Sequence, residues 1–174
     1  MVRARPEGQD KLVEELKSLG ADVVVTDEEL MSKEIRDKVK EWTNGGREQV
    51  KLGLNCVGGK NATALAKQLS PEAYMVTYGG MSKRPVELPT AALIFKNITF
   101  SGFWVSRWSE RNPEEKRKTV EHVLQLTREG KFKDMPFEEV PWEWNTKQET
   151  LVDAVKGTLE GYRKGKSVFV FGKT

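Results

Sequence analysis

Several residue types that common functional sites require are scarce in this sequence. Cys56 is the one cysteine and His122 the one histidine among the 174 residues. A single cysteine cannot form an intrachain disulfide, which indicates a reducing compartment. A histidine with no cysteine or second histidine near it is a poor basis for a metal site. No Ser-His-Asp set or P-loop stands out either, so we expect no metal and none of these catalytic centres.

Long apolar runs and concentrated charge are also absent. With no stretch of about 18 apolar residues, the sequence predicts no membrane span. The 29 basic and 26 acidic residues give a formal net charge of only +3, and the two signs are mixed along the chain. Because nucleic-acid binding needs basic residues gathered on one face, this pattern predicts a solvated surface and no nucleic-acid partner.

What the sequence does contain is an alternation of strand-like and helix-like segments. Runs rich in β-branched and aromatic residues predict five strands, at 21–25, 50–57, 73–78, 98–105 and 167–171. The run at 50–57 is mostly apolar without strict alternation, which is typical of a strand covered on both faces. The predicted fold class is α/β, a Rossmann-type parallel sheet with right-handed crossovers and flanking helices.

Helices are expected between these strands. They are predicted near 12–19, 27–42, 62–69, 91–95, 113–130 and 147–162. Thr26 and Glu29 form a capping-box pair at the start of the second helix, and Pro113 occupies the first position of a later one. The segment 132–148 is expected to be irregular. The character of the sequence changes near residue 110, where we place a domain boundary.

Two arginines, Arg3 and Arg5, stand where the second strand of a dinucleotide-binding fold would end. There an acidic residue binds the ribose 2′-hydroxyl of NAD, whereas arginine accommodates the 2′-phosphate of NADP. At about 1.5–3 kcal/mol for each hydrogen bond to a charged group, the pair would favour NADPH roughly tenfold to a hundredfold or more. The alternative is two solvated surface arginines, because no Gly-x-Gly-x-x-Gly motif occurs in the chain to anchor the first interpretation.

Two glycine pairs follow consecutive predicted strands, Gly58-Gly59 and Gly79-Gly80. Ligands of open α/β sheets bind beyond the carboxyl ends of the strands, and glycine lets the backbone approach a flat ring closely. Plain turn chemistry is an equally good explanation of both pairs. Beyond the fourth strand, Phe103, Trp104 and Trp108 would wall an apolar pocket or fill a core or interface.

Five segments taken in order resemble one family. They read Val-Arg-Ala-Arg-Pro, Leu-Lys-Ser-Leu-Gly-Ala-Asp, Leu-Asn-Cys-Val-Gly-Gly-Lys, Met-Val-Thr-Tyr-Gly-Gly-Met-Ser-Lys and Gly-Phe-Trp-Val-Ser. Together they resemble the mitochondrial trans-2-enoyl-thioester reductases, a branch of the medium-chain dehydrogenase/reductase superfamily. The resemblance extends from residue 2 to about 171 and is strongest over 50–108.

The resemblance implies a chemistry and a set of cofactor contacts. The family uses NADPH to reduce the trans-2 double bond of an enoyl thioester, carried on CoA or acyl carrier protein. It serves fatty acid synthesis in the mitochondrial matrix and usually works as a homodimer. The implied cofactor-binding residues are Arg3, Ala4, Arg5, Tyr78, Gly79, Gly80, Met81, Phe103, Trp104, Val105 and Lys166.

The resemblance also implies an incomplete site. Residues 1–110 would form a partial NADP-binding Rossmann domain without its first strand and Gly-rich turn. Residues 111–174 would be the return segment of the family's GroES-like catalytic domain. The family's catalytic tyrosine has no counterpart here, so we assign no catalytic residue and expect no reductase activity from this chain alone. Two alternatives stay open: a non-catalytic NADP-binding or dimerising module, and a quinone-type reductase of the same superfamily.

Overall fold

A computed structural model describes residues 1–133, 135–160 and 165–172. The chain divides into two compact units, Met1–Arg111 and Asn112–Thr174. In the part of the chain that the structure describes, no helix has the length and apolar character needed to cross a membrane. The functional identity of each unit, as a partial NADP-binding domain and a return segment, stays a prediction.

The first unit alternates helices with parallel strands, which confirms the predicted α/β class. Its elements are α1 (Gln9–Ser18), α2 (Asp27–Met31), α3 (Ile35–Trp42), β1 (Leu52–Asn55), α4 (Gly59–Gln68), β2 (Tyr74–Thr77), α5 (Thr90–Ile94), β3 (Thr99–Gly102) and α6 (Val105–Arg111). The three strands form one parallel sheet in the order β1-β2-β3. Asn55 pairs with Thr77, and Thr77 with Gly102, so the three carboxyl ends share one edge of the sheet.

The core of the first unit lies on one face of this sheet. A buried cluster joins α4 to the middle of the sheet. In it Met75 of β2 packs with Ala62 and Ala66 of α4 and with Leu69, which directly follows that helix. Gly53 makes this approach possible, because a Cβ atom at that position would lie 3.3 Å from the Leu69 methyl groups. Burial of a large apolar side chain, such as Leu69 or Met75, stabilises the fold by about 1.5–3 kcal/mol.

The prediction that the strand at 50–57 is covered on both faces is wrong for this chain. Its side chains alternate between exposed and buried, with Leu52 and Leu54 about 57% and 59% exposed. Successive side chains of a strand point to opposite faces, and the buried cluster of α4 and α5 residues lies on one face only. The exposed leucines are therefore on the face opposite α4.

Two other segments of the first unit differ from the sequence-based expectation. The strand predicted at 21–25 is replaced by an isolated parallel bridge between Val2 and Thr26, because only this one residue pair is aligned. The helix predicted over 27–42 is divided, since Ser32 is extended (ψ 162°) and α3 begins only at Ile35. The capping box is confirmed: Glu29 N donates to Thr26 Oγ1 and Thr26 N donates to the Glu29 carboxylate.

The second unit contains two helices and a pair of parallel strands. They are α7 (Pro113–Arg128), β4 (Phe137–Trp142), α8 (Gln148–Glu160) and β5 (Lys166–Phe171). The expectation of irregular structure over 132–148 is wrong, because β4 pairs along its whole length with β5. Pro141 within β4 hides this strand in the sequence, since proline is typical of edge strands only. The last residues predicted for the helix at 147–162 lie outside the described residues.

Candidate cofactor site at the carboxyl edge of the sheet

Asn55, the last residue of β1, joins the ends of two strands. Its side chain is only 4% exposed. The amide nitrogen donates to Thr77 Oγ1 over 3.1 Å, and the amide oxygen accepts from the backbone N–H groups of Val57 and Gly58, each over 3.1 Å. Three polar groups at the edge of the core are thereby satisfied by one side chain.

The first glycine turn depends on Gly58 for a steric reason. Its φ of +84° is one that L side chains rarely adopt, and a Cβ atom there would lie 2.7 Å from the Arg84 carbonyl oxygen. Gly59 follows with φ +56°, and its N–H donates to the Pro85 carbonyl over 3.2 Å. The first glycine pair therefore lets the chain after β2 pass close above the start of α4.

The second glycine turn is bonded residue by residue onto the first. Tyr78 N donates to Asn55 O over 2.9 Å, Met81 N to Cys56 O over 3.0 Å, and Ser82 N to Val57 O over 2.9 Å. The Ser82 hydroxyl adds a 2.6 Å bond to the same Val57 carbonyl. We use the name joined turns for residues 55–59 and 78–85, which form one continuous backbone surface.

The two glycines of the second turn differ in their surroundings. A Cβ atom on Gly79 would lie 3.2 Å from the Cys56 carbonyl oxygen, whereas one on Gly80 would meet nothing within 4 Å. Gly80 therefore faces open space, so its backbone is accessible to a ligand at this edge. Beside it, Tyr78 is 53% and Met81 80% exposed.

The Tyr78 side chain forms a hydrogen bond with Cys56, the one cysteine of the chain. The hydrogen bond with Cys56 raises the pKa of the Tyr78 phenol above its ordinary value of 10, and the charge of Cys56 and slight burial act in the same direction. Cys56 itself is partly buried.

The third strand delivers aromatic side chains to the same edge. Phe103 N donates to Thr77 O over 2.9 Å immediately after β3 ends. Phe103 is 42% and Trp104 64% exposed, and the Arg107 guanidinium lies 5.3 Å from the centre of the Trp104 ring. The strand predicted to reach residue 105 stops at Gly102, so Val105 begins α6 instead. The structure thus brings together the predicted residues that follow β2 and β3.

The remaining predicted cofactor residues lie on other segments. Arg3 and Arg5 are exposed and flank Ala4, whose N–H donates to Asp27 Oδ1 over 2.8 Å. Arg5 N donates to the Gln9 side chain over 3.2 Å, so this segment is fixed to the starts of α1 and α2. Lys166 is the first residue of β5 in the second unit. Their contacts with a cofactor stay predictions.

Sequence reasoning missed Asn55 as an individual residue. It belongs to the Leu-Asn-Cys-Val-Gly-Gly segment, but only the glycines were singled out. The available signal was an asparagine three residues before Gly58, because Asn side chains commonly accept hydrogen bonds from backbone N–H groups that follow them. Among residues 1–133, 135–160 and 165–172, no group of three or more His, Cys, Asp or Glu side chains is placed to hold a metal ion.

Known proteins are similar to this chain over most of its length. An enoyl-[acyl-carrier-protein] reductase, mitochondrial, of Schizosaccharomyces pombe is 44% identical over 172 residues, which are 98% of this chain and 45% of that protein. An NADPH quinone oxidoreductase of Kluyveromyces marxianus is 44% identical over 151 residues, 84% of this chain and 40% of that protein. The chain thus spans less than half the length of these curated relatives.

Solved structures superpose on the chain over most of its length. The complex of Etr1p with NADP and crotonyl-CoA matches with a TM-score of 0.83 at 38% identity, covering 97% of this chain and 45% of that one. The mitochondrial 2-enoyl thioester reductase Etr1p/Etr2p heterodimer of Candida tropicalis matches with a TM-score of 0.81 at 40% identity, covering 91% and 44%.

A family model agrees with these likenesses. The model described as zinc-binding dehydrogenase matches residues 7–128, which include the whole sheet and the joined turns. The chain therefore belongs to the zinc-binding dehydrogenase family of the medium-chain dehydrogenase/reductase superfamily, in which it resembles the carboxyl-terminal part of the mitochondrial enoyl-thioester reductases.

Proposed function

We propose that this chain provides the cofactor-binding part of an NADPH-dependent reductase of trans-2-enoyl thioesters. The observation that carries the proposal is the pair of joined turns at the carboxyl edge of the sheet, the place where open α/β sheets bind their ligands. The 44% identity to an enoyl-[acyl-carrier-protein] reductase over 98% of the chain supports the choice of substrate class.

The residues of the joined turns fit a flat nicotinamide ring. The open space above Gly80 leaves room for a ring to lie against the backbone, and the exposed Tyr78 and Met81 border that space. Phe103 and Trp104 supply an apolar wall at the same edge. When bound, NADPH supplies the hydride for the β-carbon of the enoyl thioester.

The chain's own contribution to this reaction is to hold the cofactor and to orient its nicotinamide ring. Gly79 and Gly80 give the cofactor a backbone surface, and the hydrogen bonds of Asn55 and Ser82 keep that surface in one shape. Preorganisation of this kind lowers the barrier, because the geometry is fixed before the reaction begins. Arg3 and Arg5 bind the 2′-phosphate, Ala4 lies between them, and Val105 and Lys166 complete the cofactor contacts in this proposal.

The acyl carrier, the partner chain and the compartment belong to the same proposal. The substrate is an enoyl thioester, and its carrier is CoA or acyl carrier protein, in agreement with the names of the similar proteins. A dimer is supported by the Etr1p/Etr2p heterodimer, and we propose a homodimer. Relatives named mitochondrial support a mitochondrial location, and we propose the matrix and a role in fatty acid synthesis.

The experiment that tests the proposal measures NADPH binding to the full chain. We expect NADPH to quench tryptophan fluorescence saturably, with Trp104 as the main reporter. Gly80→Val should weaken binding at least tenfold, because its branched side chain would fill the space above the turn. Gly80→Ala is the graded control, with a smaller loss. Equal affinity in all three proteins would reject the site.

A quinone-type reductase is the second candidate, favoured by the NADPH quinone oxidoreductase at 44% identity. Both candidates share the cofactor site and differ only in the acceptor of the hydride. Steady-state oxidation of NADPH by the protein that carries this chain, with crotonyl-CoA and with a panel of quinones, separates them. A kcat/KM for quinones at least tenfold above that for crotonyl-CoA would favour the second candidate.

A non-catalytic NADP-binding or dimerising module is the third candidate. In the described sheet β3 is an edge strand, and an unpaired edge is a place where another chain can add a strand. Saturable NADPH binding and concentration-dependent dimerisation, with no turnover of either substrate class by the protein that carries this chain, would favour the module.

A further inference from the structure

A groove lies between the divided helix α2–α3 and helix α4. It encloses about 660 Å³, and its base contains the buried side chains of Leu30, Ile35 and Ala64. The break after α2 forms part of its wall, because Met31, Ser32 and Lys33 all line it. A continuous helix over 27–42, as the sequence predicted, would not place these residues around an opening.

The groove carries an excess of positive charge. Lys33 and Arg36 line it from one side and Lys60 and Lys67 from the other, against two acidic residues, Asp37 and Glu87. In the described part of the chain, none of the four cations takes part in an ion pair, whereas Lys38, Arg117, Lys118 and Lys131 each do. Among the described residues, the four cations therefore outnumber the two carboxylates of the groove, and they make no ion pair with them.

Lys96, which lies next to the groove, is affected by the same positive charge. Burial lowers the pKa of Lys96, and the positive charge of Arg36 lowers it further. The Lys96 ammonium donates to the carbonyls of Lys67 and Leu69, over 2.9 and 2.6 Å. Arg36 thus lies close to Lys96 and to the carboxyl end of α4, where Lys67 is, so positive charge gathers at this end of the groove.

The dimensions fit a small molecule with more than one anionic group. Small-molecule sites typically enclose about 300–1,000 Å³. Lys60 and Lys67 are seven residues, or two turns, apart on α4, so both lysines lie on the same face of the helix. The guanidinium of Arg36 can bind two phosphate oxygens at once, and the lysines act as point charges.

We propose that this groove binds a small molecule carrying two or more phosphate groups, at a site distinct from the joined turns. The groove begins beside the turns at Lys60 and extends away from them along α4 to Gln68. The proposal is independent of the reductase function, because none of its residues is among the proposed NADPH contacts. The shared chemistry of the ligand is a diphosphate, whether free or attached to a nucleoside.

Calorimetric titration of the full chain with inorganic pyrophosphate at physiological salt tests the proposal. We expect saturable binding that Arg36→Gln combined with Lys67→Gln weakens at least tenfold. Both side chains are exposed, so this variant should melt at the temperature of the unmodified chain. Lys11→Gln combined with Lys17→Gln removes the same charge from exposed positions of α1 and should leave the affinity within twofold.

A second arm with ADP identifies the source of the phosphates. ADP binding more than tenfold tighter than pyrophosphate, and lost in the groove variant, supports a nucleotide ligand; similar affinities support recognition of the phosphates alone. No saturable binding of pyrophosphate, or an equal loss in the α1 variant, overturns the proposal. A loss confined to Arg3→Ala combined with Arg5→Ala also overturns it, because the anion would then bind at the amino-terminal arginines.

Discussion

The Asn55 side-chain amide donates a hydrogen bond to the Thr77 hydroxyl over 3.1 Å and thereby ties the end of β1 to the end of β2. The same side chain accepts from two N–H groups of the first glycine turn. A single buried amide therefore bonds to both strand ends and to the first glycine turn. The shape of the proposed cofactor surface depends on this residue as well as on the glycine pairs.

Asn55→Ala should destabilise the fold and weaken NADPH binding. It leaves the Gly58 N–H, whose hydrogen bond is buried, and the partly buried Val57 N–H and Thr77 hydroxyl without their partner. A buried group left unsatisfied costs about 1–3 kcal/mol and the two partly buried groups can turn to water, so we expect a loss of about 2–4 kcal/mol. Urea unfolding measures the stability and fluorescence titration the affinity.

Thr77→Val is the matched control for Asn55→Ala. It removes only the bond to the amide nitrogen, keeps the two bonds to the glycine turn, and should cost about 1–2 kcal/mol. A loss in Thr77→Val as large as that in Asn55→Ala would show that the bonds to Val57 and Gly58 contribute nothing.

Gly58→Ala should destabilise the chain, whereas Gly80→Ala should not. At Gly58 a Cβ atom would lie 2.7 Å from the Arg84 carbonyl oxygen on a backbone with φ +84°, and such strain costs about 1–3 kcal/mol. At Gly80 the Cβ atom meets nothing, so the change should stay within about 0.5 kcal/mol. Thermal unfolding of both variants checks this contrast, and equal melting temperatures would contradict it.

The contrast between these two glycines shows what the sequence could reveal. Their positions after buried strands predicted a shared edge, and the parallel register of β1, β2 and β3 confirms it. The sequence could not distinguish their roles. Gly58 is needed because Arg84, 26 residues later, passes directly above it, and such a long-range contact leaves no local pattern.

The break between α2 and α3 also has a cause that is distant in the sequence, whereas the capping box is local. Nothing in Met31-Ser32-Lys33 resembles a helix breaker, yet Ser32 adopts an extended conformation and the groove opens there. Helix propensity differs little among such residues, so tertiary packing of Leu30 and Ile35 against Ala64 decides the outcome. The capping box could be predicted because Thr26 and Glu29 satisfy each other's backbone within one turn.

The capping box makes stability depend on pH. The hydrogen bond from the Thr26 backbone N–H, assisted by the charge of Lys38, lowers the pKa of Glu29 below its ordinary 4.5. A carboxylate with a lowered pKa in the folded state stabilises the fold above its unfolded pKa and loses that contribution as the pH falls through the folded value. Because Glu29 is about half exposed, the contribution should be below about 1 kcal/mol.

Glu29→Gln tests this pH dependence. The amide oxygen can still accept from Thr26, so the variant removes the charge and keeps the shape of the cap. Urea unfolding should show the unmodified chain more stable than the variant at pH 7, with the difference disappearing near pH 3. A difference of the same size at both pH values would mean that Glu29 acts only through packing.

Arg3→Ala combined with Arg5→Ala should change the choice of coenzyme. If the two guanidinium groups bind the 2′-phosphate, the variant should lose at least tenfold to a hundredfold in affinity for NADPH, because even one hydrogen bond to a charged group contributes about 1.5–3 kcal/mol. Its affinity for NADH, which lacks that phosphate, should change less than twofold. Fluorescence titration of the full chain with both coenzymes gives the two affinities.

Lys11→Ala combined with Lys17→Ala, on the exposed surface of α1, removes the same charge and should leave the preference for NADPH intact. An unchanged ratio of the two affinities in the arginine variant would show that Arg3 and Arg5 are solvated surface residues, because a phosphate contact cannot be removed without cost.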